Sequence, residues 1–226
     1  MLRGSASTSA IVKRNGASRN IDNLNQVVTR TGLINIKNIA TAIAMEHPFI
    51  STHKVISDYI KKSWNKTTMI TSFSTALLKI YLEDNPRSKL NTDTMTLIGL
   101  MHNIGMLPIL TEAEAKEGNF LREEVLNYCI DKFSSDIGTQ IVTKWGFGDE
   151  FVNVIKNWSN ISYKTKEPSY LDFLRVSLLF NDQFNSQVNK EDLYAEYREK
   201  GIFEDVSLFT SDFFKKNLSE VSSAFS

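Results

Sequence analysis

The chain has 226 residues, 42% of them apolar, which allows a sizeable buried core in one or at most two domains. Its 26 Lys and Arg balance 26 Asp and Glu, so no net field draws it to nucleic acid or to an anionic membrane. The single cysteine, Cys129, excludes an internal disulfide and, beside Val125 and Leu126, reads as a small core residue in a reducing compartment. No apolar run approaches the roughly eighteen residues that cross a bilayer, and the opening MLRGSASTSA lacks the hydrophobic segment of a signal peptide. The expectation is a cytoplasmic protein. With four prolines (Pro48, Pro86, Pro108 and Pro168) and no sustained alternation of apolar and polar residues, the chain reads as all-α.

Residues 1–19, rich in Ser, Gly and Asn, read as an N-terminal loop or partial helix, and residues 20–226 as one helical domain that ends in C-terminal helices. From Asn20 a helix carries Ile21, Leu24, Val27 and Val28 on one face and stops near Gly32; a second, with Leu33, Ile36, Ile39, Ala40 and Ile43, ends before Pro48. Ser51 is expected to cap a long helix toward Glu83, with Val55, Ile56, Tyr59, Trp64, Ile70, Phe73 and Leu77 at helical spacing and Asp84-Asn85-Pro86 as its end.

The stretch Met95 to Pro108, MTLIGLMHNIGMLP, follows. Leu97, Ile98, Leu100, Met101 and Ile104 lie most of the way round a helix, so this segment belongs in the middle of the protein, with His102 near the helix end at an Asn103-Ile104-Gly105 turn. Beyond the charged segment Thr111–Asn119, a helix is marked by Leu121, Val125, Leu126 and Cys129. Another is expected from Ser134 or Ser135 through Ile137, Ile141 and Trp145 to Gly146. Asp149 is expected to cap a helix through Phe151, Val154 and Ile155, and Pro168 to sit in the first turn of one that carries Leu171, Leu174 and Leu178 to Asn181-Asp182. Two terminal helices run from about Leu193 to Lys200 and from Asp205 through Phe209, Phe213 and Leu218. The phenylalanines Phe203, Phe209, Phe213 and Phe214 read as core, although adjacent Phe213 and Phe214 cannot both point inward easily.

The run Gly99-Leu100-Met101-His102-Asn103-Ile104-Gly105-Met106 resembles the HD superfamily signature, most closely the Gly-Leu-Leu-His-Asp-Ile-Gly-Lys of its HDOD branch. Trp64-Asn65-Lys66-Thr67 resembles the family's Trp-x-His-Ser. Gly138 with Trp145-Gly146 resembles its His-x-x-x-Gly and Trp-Gly elements, and Met1-Leu2-Arg3-Gly4-Ser5-Ala6-Ser7 a Leu-Arg-x-Ala-Asn-Ser run. The resemblance spans residues 20–182 and implies a compact multi-helix HDOD-like bundle. In catalytic relatives it implies one or two divalent metals that activate water against a phosphoester.

Carried onto this chain, the family's ligand positions fall on Lys66, His102, Asn103, Ser134, Trp158, Ser159 and Asp182. A metal needs three or more converging imidazole or carboxylate ligands, and five of these positions hold other side chains. We therefore expect no catalytic residue, no metal ligand and no cofactor, with a divalent metal only if the enzymatic alternative holds. An ammonium at Lys66 would repel a bound cation, so Lys66 either fills the charge vacancy near Asn181 or Asp182 and His102, or simply reaches solvent. His102 reads as a buried, hydrogen-bonded residue rather than a catalyst, and His47 and His53 as a surface turn and a helix start. Lys61, Lys62 and Lys66 form a short basic face of the solvated kind.

By resemblance the function is that of a non-catalytic bacterial signal-transduction domain with a signalling protein or a small anionic ligand as partner, and neither nucleic acid nor membrane. The alternative is a metal-dependent phosphohydrolase acting on a nucleotide or cyclic dinucleotide, which would need further ligands such as Glu123, Glu124, Asp131 or Asp136.

Overall fold

The computed structural model describes residues 51, 53–116, 118–184 and 189–225, and the helices are numbered over these. The chain divides into Met1–Met45 and Glu46–Ser226, and every described residue belongs to the second unit. The expectations for residues 1–19, for the boundary at residue 20, for the two helices before Pro48 and for His47 lie outside the described residues. The described chain is all-α.

Helix α1, Lys54–Asp84, carries 31 residues, and its second half is buried on every side from Ile70 to Leu78. A helix stretch buried all round belongs at the centre of a bundle, and two of the hydroxyls it takes inward bond to its own backbone. Thr71 Oγ1 donates to the Thr67 carbonyl at 2.7 Å and Ser74 Oγ to Ile70 at 2.8 Å. The cap differs from expectation: the N-cap is His53, with no side-chain cap bond. The Ser51 hydroxyl donates to Glu114 Oε1 at 2.9 Å and accepts from the His53 N–H, which also donates to Glu114 at 3.2 Å, so a carboxylate from a distant helix does the capping work.

Asn91 caps α2, Thr92–Met101, by accepting from the Thr94 N–H at 2.8 Å. After a tight turn at residues 102–105 the chain enters α3, Met106–Lys116, with Pro108 in its first turn, where a missing N–H costs nothing. The segment Thr92–Lys116 is long and apolar enough to cross a membrane by composition, but 61% of its most apolar window is buried inside the protein. A short 3-10 turn, Gly118–Leu121, leads to α4, Glu123–Lys144.

Helix α4 is one helix where two were expected. Leu126, Ile130, Ser134, Gly138 and Val142 form an unbroken buried row at four-residue spacing, so Ser134 and Ser135 continue the helix rather than start one. Cys129, expected in the core, is half-buried at the edge of that row. Gly146 ends the helix at φ +74°, with its N–H on Thr143 and that of Phe147 on Val142, both at 3.0 Å.

Helix α5, Asp149–Asn157, has Gly148 at its N-cap, and Asp149, expected as the cap, is its first residue, where a carboxylate still favours the helix dipole. Helix α6, Tyr170–Phe180, is capped by Ser169, which places Pro168 one residue before the cap rather than in the first turn. Helix α7 spans Lys190–Glu199. The last expected helix is two pieces, a 3-10 turn at Val206–Thr210 and α8, Asp212–Ser222, because the Ser211 hydroxyl accepts from the Phe214 N–H at 3.1 Å and starts a new helix.

Helix α1 packs against α2, α6 and α8, and α4 against α3 and α5. The Phe73 ring sits 4.7–5.2 Å from the rings of Phe180, Phe209 and Phe214, a cluster in which each aromatic pair adds about 0.5–1.5 kcal/mol beyond its burial. Phe214 is fully buried and Phe213 is 50% exposed, as their adjacency requires.

Candidate functional site

Two close backbone approaches position His102. A Cβ on Gly99 would lie 2.7 Å from Thr71 Oγ1 and 2.9 Å from Thr71 Cα, so α2 crosses α1 closer than any side chain at this position would allow. A Cβ on Gly105 would lie 1.9 Å from the Ser134 carbonyl oxygen and 2.6 Å from the Gly138 nitrogen. The turn after α2 therefore rests on the backbone of α4, with Gly138 as the matching gap. The glycines of the signature are packing requirements in this chain.

His102 occupies the C-cap of α2 and is 6% exposed. Its Nδ1 lies 2.6 Å from the Gly99 carbonyl, an acceptor, which assigns the proton to Nδ1. Burial holds the imidazole pKa below the usual histidine value, against the opposing effect of the Gly99 carbonyl, so the ring is neutral. The Trp158 ring meets it edge to face, with centroids 5.4 Å apart and planes at 87°. Trp158 Nε1 and Asn103 Oδ1 are buried without a hydrogen-bond partner among the described residues, while Asn103 Nδ2 reaches only Met106 Sδ at 3.9 Å.

The structure thus brings together His102 and Trp158, and joins the Asn103–Gly105 turn to Ser134, which is 3% exposed. Ser159 follows Trp158, and its hydroxyl is 3.4 Å from that of Ser135 on α4. Two of the seven positions stand apart. Lys66 is exposed on α1 and makes no hydrogen bond or ion pair with His102, Asn181 or Asp182, so of its two readings the solvent-facing one describes its position. Asp182 has a side chain 79% exposed and pairs with Lys190. Its backbone explains its place: at φ 55° it is the left-handed residue that closes α6, with its N–H on Leu179 and that of Gln183 on Leu178.

Among the described residues no group of three or more His, Cys, Asp or Glu is placed to hold a metal. Glu123, Glu124, Asp131 and Asp136 are all exposed on α4 and do not converge on His102. The His102 surroundings are a poor fit for a divalent ion: the Nδ1–Gly99 bond leaves only Nε2 free to coordinate, an indole lies against the ring, and the adjoining side chain is the Asn103 amide.

Arg175, which sequence reasoning passed over, organises the wall on which Trp158 stands. It is 2% exposed on α6, and its guanidinium donates to the carbonyls of Tyr163 and Asn157, both at 2.7 Å, to Trp158 at 3.3 Å, and to Asn160. These oxygens close the end of α5 and the loop after it, where uncompensated carbonyls favour a cation. One turn earlier Asp172 is fully buried and accepts from Lys200 at 2.9 Å, Thr165 at 2.7 Å, and the Ser169 N–H and hydroxyl at 2.9 and 2.8 Å. Tyr197 lies in the same network, and its burial pushes the phenol pKa far up. The available signal was an Asp and an Arg three residues apart in the otherwise apolar YLDFLRVSLLF.

The HDOD domain family model matches residues 9–161, and the chain belongs to that family. A solved structure from Shewanella amazonensis SB2B, provisionally named a metal-dependent phosphohydrolase, is 32% identical, superposes with a TM-score of 0.82, and is matched over 98% of this chain and 81% of its own. A search of curated proteins finds no match.

Proposed function

We propose that this chain is a regulatory HDOD module of bacterial cytoplasmic signal transduction, which acts by binding a signalling protein or a small anionic ligand and does not hydrolyse phosphoesters. The observation that carries this reading is the His102–Trp158 contact: an indole packs on the imidazole, where the family resemblance places a further ligand. Fold alone does not fix function, so the reading rests on this site and on the poor ligand set around it. Elemental analysis of the purified protein with a calorimetric titration of Mn²⁺ and Zn²⁺ tests it. No stoichiometric metal and no turnover of nucleotides or cyclic dinucleotides is the expected result. One or two tightly bound equivalents, with hydrolysis that depends on them, would overturn it.

A second reading, a metal-dependent phosphohydrolase, draws its support from the name given to the Shewanella protein. It requires ligands beyond any group the described residues bring together. The same titration separates the two.

A further inference from the structure

Helix α4 carries a second apolar row beside its buried one. Val125, Cys129, Phe133, Ile137, Ile141 and Trp145 follow one another at four-residue spacing along the whole helix. The opposite flank, Asn127, Asp131, Ser135, Thr139 and Thr143, is polar throughout. Four members of the apolar row are half-buried, while Phe133 is 47% and Trp145 57% exposed. Rows at this spacing are the ridges by which one helix packs on another, so the shape suits a helical partner.

The charges along α4 indicate which helix. Next to the ridge run Glu124, Tyr128, Lys132, Asp136, Gln140 and Lys144. Glu124 has a 3.4 Å ion pair with Arg122, and Lys132, Asp136 and Lys144 have no ion pair among the described residues. If α4 is laid antiparallel on a copy of itself about a twofold axis near residues 134 and 135, Phe133 meets Ile137 and Cys129 meets Ile141. Within a residue or two of the same register, Lys132 falls opposite Asp136, beside the axis where crossing helices lie closest. A parallel pairing would set each charge against its own kind. We propose that this face of α4 is an isologous interface with a second copy of the chain, in which Phe133 is the central apolar contact and Lys132 and Asp136 form reciprocal ion pairs across the axis. The inference stands independently of the function proposed above.

Sedimentation velocity of the full chain across the micromolar range tests it, since a patch of one helix is below the standard interface size and implies modest affinity. A reversible dimer is expected. Lys132→Glu or Asp136→Lys alone should weaken it about tenfold or more, and the two combined in one chain should restore it. Phe133→Glu, at an exposed position, should abolish it. Each single reversal leaves like charges four residues apart on α4, so melting temperatures are measured alongside to confirm that the variants are folded. A chain that is monomeric at every concentration overturns the proposal. So does a dimer that is indifferent to Phe133→Glu, or one that the double reversal fails to restore.

Discussion

The surroundings of His102 and those of Arg175 are two buried polar regions that meet at the α5 C-terminus, one at the Trp158 ring and the other at its carbonyl, and they are built differently. Arg175 places its donors on four backbone carbonyls, and Asp172 receives four donors from three residues. Beside His102, Trp158 Nε1 and Asn103 Oδ1 lack partners among the described residues, and the imidazole makes one short bond. A buried polar group stabilises only when it is satisfied. The first region is therefore scaffold. The second is a packed cluster with unpartnered polar atoms at the family signature, and it should tolerate change at those atoms far better.

Four measurements would break or sharpen that contrast. The largest effect is expected from Arg175→Leu, which strips the carbonyls at the end of α5 of their cation and should cost about 3–5 kcal/mol in urea unfolding. A loss below 1 kcal/mol would remove the distinction. Gly105→Ala comes next: the new Cβ meets the Ser134 carbonyl and the Gly138 nitrogen, which are backbone atoms that cannot swing aside. We expect about 3 kcal/mol.

The third measurement is pH dependence. The folded pKa of His102 lies below its unfolded value, so the unfolded chain takes up the proton first as pH falls. The stability tied to this group is complete above about pH 6.5, the ordinary histidine pKa, and is lost progressively as pH falls below it toward the folded value. Comparison with His102→Gln at pH 7.5 and pH 5 isolates the effect, and equal pH slopes for the two proteins would contradict the neutral assignment. The smallest change is Trp158→Phe, which keeps a ring against His102 and removes an unpartnered N–H. Its melting temperature should correspond to a change within about 1 kcal/mol, with no loss from hydrogen bonding.

Much of this architecture was legible because apolar periodicity and the stop at Gly146 mark helices by local chemistry that tertiary contacts leave intact. The errors fell where a local signal competed with packing. Ser134 looks like a helix start but sits in a buried row that runs through it. Ser51 looks like a cap but serves Glu114, and no local pattern announces a carboxylate 63 residues away. At the site, the signature located His102, but the seating of its turn on Ser134 is a backbone contact that no local pattern announces. Asp182 closes α6 in a left-handed turn, and an Asp in that role looks like an Asp placed as a ligand in sequence. Arg175 was passed over because its partners are carbonyls, which every residue type carries alike.

The contact between Gly105 and α4 has a mechanical consequence. Most neighbouring helices are separated by a layer of side chains, whose rotamers can absorb a small displacement. Here the turn that bears Asn103 and Gly105 rests backbone to backbone on Ser134 and Gly138, with no such layer between. Packed interiors are stiff, and this joint is stiffer than most. A displacement in the middle of α4 would meet the turn after His102 with no side-chain layer to absorb it.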